Sequence, residues 1–105
     1  MVFQISSSLL DALVLSVVST EDTYGYKITQ DVQEAIQISE STLYPVLRRL
    51  QKDSCLDTYD QEYLGRNRRY YKITPKGKSQ LSLYIEELKI YKNKIDKVLL
   101  GGMAV

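Results

Sequence analysis

Helical periodicity in this chain is interrupted once, and the interruption largely decides what it can fold into. Up to Asp53, apolar residues recur at three- and four-residue steps, the spacing of amphipathic helices. Over 55–63 and 68–73 the sequence becomes rich in Tyr, Thr and Ile, a strand composition. From Thr74 onward the helical spacing returns. The chain has 105 residues, enough for one domain.

The first helical stretch places Leu9, Leu10, Leu13, Val14, Val17 and Val18 on a face broad enough to be mostly buried. Ser8 reads as its N-cap, with Asp11 in an acidic first turn. The polar run Ser19-Thr20-Glu21-Asp22-Thr23 ends it. A second, shorter helix over 24–36 carries Tyr24, Ile28, Val32 and Ala35 at helical steps. The third runs from Ser39 to about Lys52. Taking Leu43 as origin, Val46, Leu47 and Leu50 fall within about 60° of it and form the core stripe. Its opposite face carries Ser41, Pro45, Arg48 and Lys52, flanked by Tyr44 and Arg49. Pro45 lies in the first two turns, where a proline sacrifices few backbone bonds.

The two strands are separated by Leu64-Gly65-Arg66-Asn67, so they read as a hairpin with a basic tip. Arg69, Tyr71 and Ile73 share one face of the second strand; Arg68, Tyr70 and Lys72 share the other. Thr74-Pro75 is a helix start, a hydroxyl cap followed by proline at the first helical position. Beyond it Leu81, Tyr84, Leu88, Tyr91, Ile95 and Val98 alternate steps of three and four, a heptad seam suited to dimerisation. Gly101-Gly102 reads as its stop. The predicted class is mainly α with a small β-hairpin (α+β). A winged helix-turn-helix would occupy 1–74 and a C-terminal dimerisation helix 75–105.

Composition removes whole classes of chemistry. With no histidine and one cysteine, a single chain cannot build a His-based triad, a His or Cys zinc site or a CxxC redox pair. No carboxylates, lysines or tyrosines stand in a recognisable catalytic arrangement, so neither an enzyme nor a cofactor is predicted. The longest strictly apolar run covers only 12–15, too short to span a bilayer, and the N-terminus lacks a secretory pattern. The expected location is the cytoplasm, with Cys55 a reduced, buried small hydrophobe.

Net charge is +1, yet its distribution is uneven. Residues 1–40 sum to −5 and residues 41–78 to +5, and all five arginines fall in the second block. That concentration favours a polyanionic partner. Hydroxyls, one aromatic and cations on an outer helix face suit a DNA major groove, and the basic hairpin suits phosphates. The candidate DNA-binding residues are Tyr24, Ser39, Ser41, Thr42, Tyr44, Arg48, Arg49, Lys52, Arg66, Arg68 and Arg69. Against them stand plainer readings: a solvated helix face, hairpin surface charges, and Tyr44 packed between helices. A winged-helix module that binds an acidic protein partner is the alternative function.

The stretches Leu13-Val14-Leu15, Tyr24-Gly25-Tyr26-Lys27-Ile28, the third helix from Ser39 to Leu50, and the wing from Arg68 to Gly77 resemble the PadR family of bacterial transcriptional regulators. The likeness covers about 8–80 and points to the short members with one C-terminal helix. It implies a homodimer on double-stranded DNA with a pseudo-palindromic operator, usually a repressor relieved by a small aromatic or lipophilic ligand. Such an effector would sit where the first helix meets the fourth across the dimer axis, with Phe3, Leu9, Leu10, Leu13, Tyr84, Leu88 and Tyr91 as candidate linings. Two departures stand out. The family usually has a glycine after the third helix, where this chain has Ser54. Some drug-sensing relatives clamp ligands between tryptophans, and this chain has none.

Overall fold

The computed structural model describes residues 5–101. In chain order its elements are α1 (Ser7–Thr20), β1 (Thr23–Tyr24), α2 (Gly25–Gln33), α3 (Glu40–Lys52), β2 (Leu56–Tyr63), β3 (Arg66–Ile73) and α4 (Pro75–Leu99). Three of the four helices start at a hydroxyl that accepts an otherwise orphaned backbone N–H. Ser6 accepts from Leu9, Ser39 from Thr42, and Thr74 from Gly77. The first cap is therefore Ser6 and not Ser8. Asp11 consequently lies beyond the first turn, on the inward face, 4% exposed.

The sheet has three antiparallel strands in the order β1-β3-β2. The short β1, unforeseen from the sequence, pairs Thr23 with Tyr71 and Tyr24 with Tyr70. It ends the predicted second helix early at its start: Tyr24 is extended and α2 begins at Gly25. The hairpin is tighter than the four-residue tip read from the sequence. Tyr63 pairs with Arg66, leaving Leu64 and Gly65 as a two-residue turn with φ of 53° and 81°. Positive φ at both centres matches the right-handed twist of the flanking strands. Arg66 and Asn67 are therefore strand residues.

One core joins α1, α2, α3 and the inner sheet face. Leu15, Ile28, Leu43, Leu47 and Leu56 are fully buried at its centre. Tyr71 and Ile73 close it from β3, and Cys55 is buried beside them. The α3–β2 turn is clasped to the start of α4. Ser54 adopts φ of 64°, the Thr74 hydroxyl donates to its carbonyl at 2.6 Å, and Lys76 Nζ donates to the Asp53 carbonyl at 2.7 Å. Gly77 is required there: a Cβ would stand 2.2 Å from the Cys55 carbonyl oxygen. Leu81 and Tyr84 then pack on the core, after which α4 projects and gives the molecule extents of 57 × 29 × 20 Å.

Candidate nucleic-acid interface

The outer face of α3 is fixed by how its inner face is seated. Leu43, Val46, Leu47 and Leu50 are buried as the periodicity requires. Tyr44 is half-buried, and its ring lies over the first residue of α2. A Cβ on Gly25 would come within 2.9 Å of Tyr44 Cε1. The glycine thus lets α2 and α3 approach, and Tyr44 packs between the helices. That seating leaves Ser41, Pro45, Arg48 and Lys52 exposed on one face.

The N-terminus of α3 is a hydroxyl cluster. Ser39 Oγ lies 3.0 Å from Ser41 Oγ and 2.9 Å from Thr42 Oγ1 while capping the helix. These side chains sit at the positive end of the helix dipole, where anions are favoured. Arg49 is spent differently from Arg48: both its terminal nitrogens donate to the Asp11 carboxylate, Nη1 to Oδ2 at 3.0 Å. Those bonds are the main reason its pKa is raised further above the ordinary guanidinium value. Burial raises the pKa of Tyr84, whose hydroxyl donates to the same Asp11 oxygen at 3.2 Å.

In the wing, Arg68 lies between two rings, its guanidinium carbon 4.0 Å from the Tyr24 centroid and 4.2 Å from that of Tyr63. Tyr70 stacks on Tyr59 at 5.6 Å and meets Tyr24 edge-on at 5.8 Å. Tyr59 in turn donates to Asp22 at 2.8 Å, the main cause of its raised pKa. Cation–π contact and ring stacking thus stiffen the outer sheet face. Arg66 is exposed near the turn, and Arg69 has Asp60 at 3.8 Å.

Residues 14–83 match the family model for the transcriptional regulator PadR-like family. The chain belongs to this family. A solved Streptococcus mutans protein superposes with a TM-score of 0.90 at 41% identity, covering 98% of this chain and 97% of that one. A PadR family transcription regulator from Clostridium difficile gives 0.80 at 29% identity, covering 86% and 97%. A transcriptional regulator of Mycobacterium tuberculosis is 33% identical over 70 residues, 66% of this chain and 65% of its own length. Membership makes this PadR-like protein a DNA-binding regulator of transcription with a winged helix, in a family that is not enzymatic. Among the described residues no helix is long and apolar enough to cross a membrane.

A groove of about 580 Å³ runs between α1 and α4, lined by Ser6, Ser8, Leu9, Ala12, Tyr84, Glu87, Leu88 and Tyr91. It gathers Leu9, Tyr84, Leu88 and Tyr91 from the residues proposed for an effector. Leu10 does not line it, being 7% exposed within the core, and Leu13 packs against that core. Phe3 lies outside the described residues. The seam residues divide likewise: Leu81 and Tyr84 are used internally, Ile95 is half-exposed, and Leu88, Tyr91 and Val98 are exposed.

Sequence reasoning missed Asp11 as a buried partner and Tyr24, Tyr59, Tyr63 and Tyr70 as a ring cluster. The first had a readable signal. Asp11 stands four residues before Leu15 and seven before Val18, so it shares their buried face, where a carboxylate needs a cation. The second had none, because cross-strand neighbours depend on register.

Proposed function

We propose that this PadR-like protein acts as a homodimer on a pseudo-palindromic operator and represses by occupying it. Residues 1–74 would read the DNA and 75–105 would join the two copies. The observation that carries the reading is the α3 outer face. Ser41, Pro45, Arg48 and Lys52 are exposed together at a helix whose other side is fully seated in the core. Two such helices, about 34 Å apart, would enter successive major grooves of one duplex face. The exposed apolar residues of distal α4 support pairing between copies. Arg66 and Arg69 would add backbone contacts from the wing, while Arg68 would steady it. The α1–α4 groove, with two tyrosines and apolar walls, fits a small aromatic or lipophilic effector.

A gel-shift titration against the DNA upstream of the protein's own gene, at two salt concentrations and with competitor, tests this. The expected result is a specific shift that weakens with salt by a slope near −0.9 per neutralised phosphate. Arg48→Ala should weaken it about tenfold or more at fixed salt. Failure to retain any duplex at low salt would overturn the reading in favour of a protein partner.

A further inference from the structure

Three helices meet at one buried carboxylate. Asp11 belongs to α1 and is 4% exposed. It receives both terminal nitrogens of Arg49 from α3 and the hydroxyl of Tyr84 from α4. A guanidinium gripping both oxygens fixes an orientation as well as a distance, because its donors form a planar fork. Removing Arg49 would leave the buried Asp11 carboxylate without its cation, and removing the Tyr84 hydroxyl would take one of its three donors. Arg49 neighbours Arg48 and flanks the outer face of α3. Besides the core seating of Leu43, Val46, Leu47 and Leu50, the Arg49 fork ties that face to Asp11, the same carboxylate that holds Tyr84 of α4. Tyr84 also lines the α1–α4 groove, so the groove and the ion pair share a side chain.

We infer that Arg49 is a positioning residue and not a phosphate ligand, and that Asp11, Arg49 and Tyr84 transmit the placement of α4 to the recognition helix. This rests on the DNA-binding reading above.

The specific probe is the duplex that the wild-type protein enriches from a random-sequence library; a scrambled duplex is the non-specific probe. Arg49→Gln, Asp11→Asn and Tyr84→Phe are titrated on both at several salt concentrations, well below their melting temperatures, with Arg48→Ala as the contact control. Each of the three should lose about tenfold on the enriched duplex, the cost of a mismatched contact. Affinity for scrambled DNA and the salt slope should stay at wild-type values. The Asp11→Asn/Arg49→Gln double variant should be no worse than either single, as residues acting as one unit require. Arg48→Ala should instead weaken both duplexes and reduce the slope by about 0.9. If Asp11→Asn does not fold, Arg49→Lys, which keeps the charge and loses the fork, takes its place. A reduced slope for Arg49→Gln would make Arg49 a phosphate ligand and overturn the inference. Wild-type specificity in Tyr84→Phe would disconnect α4 and overturn it too. A wild-type protein that enriches no duplex would instead sink the proposed function itself.

Discussion

Up to Tyr84, α4 behaves as a core helix, with Leu81 and Tyr84 half-buried against α1 and the hydrophobic centre. Beyond Tyr84 the same heptad continues onto residues that face solvent: Leu88 is 45% exposed, Tyr91 63% and Val98 82%. The proximal segment is tied to the body by a capping hydroxyl, a glycine contact and a hydrogen bond to a buried carboxylate. Beyond Tyr84 the start of α1 faces the helix only across the groove, where Ser8 and Leu9 share the lining with Leu88 and Tyr91. A heptad pattern reports that a helix face is built to be covered. It does not report whether the cover comes from the same chain or from another.

The comparison can be broken hardest at Gly77. An exposed helical Gly→Ala change ordinarily stabilises by up to about 1 kcal/mol. Here the added Cβ meets the Cys55 carbonyl, so Gly77→Ala should destabilise by about 3 kcal/mol, near the upper range for overpacking. Thermal unfolding should show a drop of about 12 °C or more; an unchanged midpoint would mean that α4 is not anchored there.

On the distal side, Tyr91→Glu should weaken the proposed dimer by about a hundredfold, since a charge is placed in an apolar seam. The stability of the dilute monomer should change by less than about 0.5 kcal/mol, as for other exposed sites. Sedimentation equilibrium checks the first statement and denaturant titration the second. Equal association of variant and wild type would show that copies pair elsewhere.

Loss of the α4 cap should be milder. Thr74→Ala removes the acceptor for Gly77 N–H and the donor to the Ser54 carbonyl, and should cost about 1–2 kcal/mol by denaturant titration. The smallest effect has the opposite sign. Ser54 holds a φ of 64°, a conformation that suits glycine, so Ser54→Gly should stabilise by about 0.5–1 kcal/mol. A loss of stability instead would show that the Ser54 side chain contributes more than its backbone strain costs.

The helices are legible because their inward faces repeat: the spacing of Leu43, Val46, Leu47 and Leu50 predicts a core stripe, and all four are buried. The start of α1 is ambiguous in sequence because three serines stand in a row at 6–8, and any of them satisfies the chemistry of a cap. β1 escaped because two residues in a polar stretch carry no periodicity; only the edge of β3 makes Thr23 and Tyr24 a strand. The site divides along the same line. The exposed cations of α3 follow from its helical wheel, and Arg48 and Lys52 lie where that wheel put them. Arg49 and Arg68 do not, because each is engaged by groups the helical wheel cannot show: Asp11 of α1 in one case, and Tyr24 with the cross-strand Tyr63 in the other.

The projection of α4 also makes it a lever. Between Tyr84 and Leu99 the helix extends about 22 Å at 1.5 Å per residue. A tilt of about 10° at its anchored end would therefore displace the far end by about 4 Å, comparable to the 3.4 Å rise of one DNA base pair per strand. In a pair of copies joined along these arms, an angular change too small to disturb the core would be enough to move two reading heads in or out of step with the double helix.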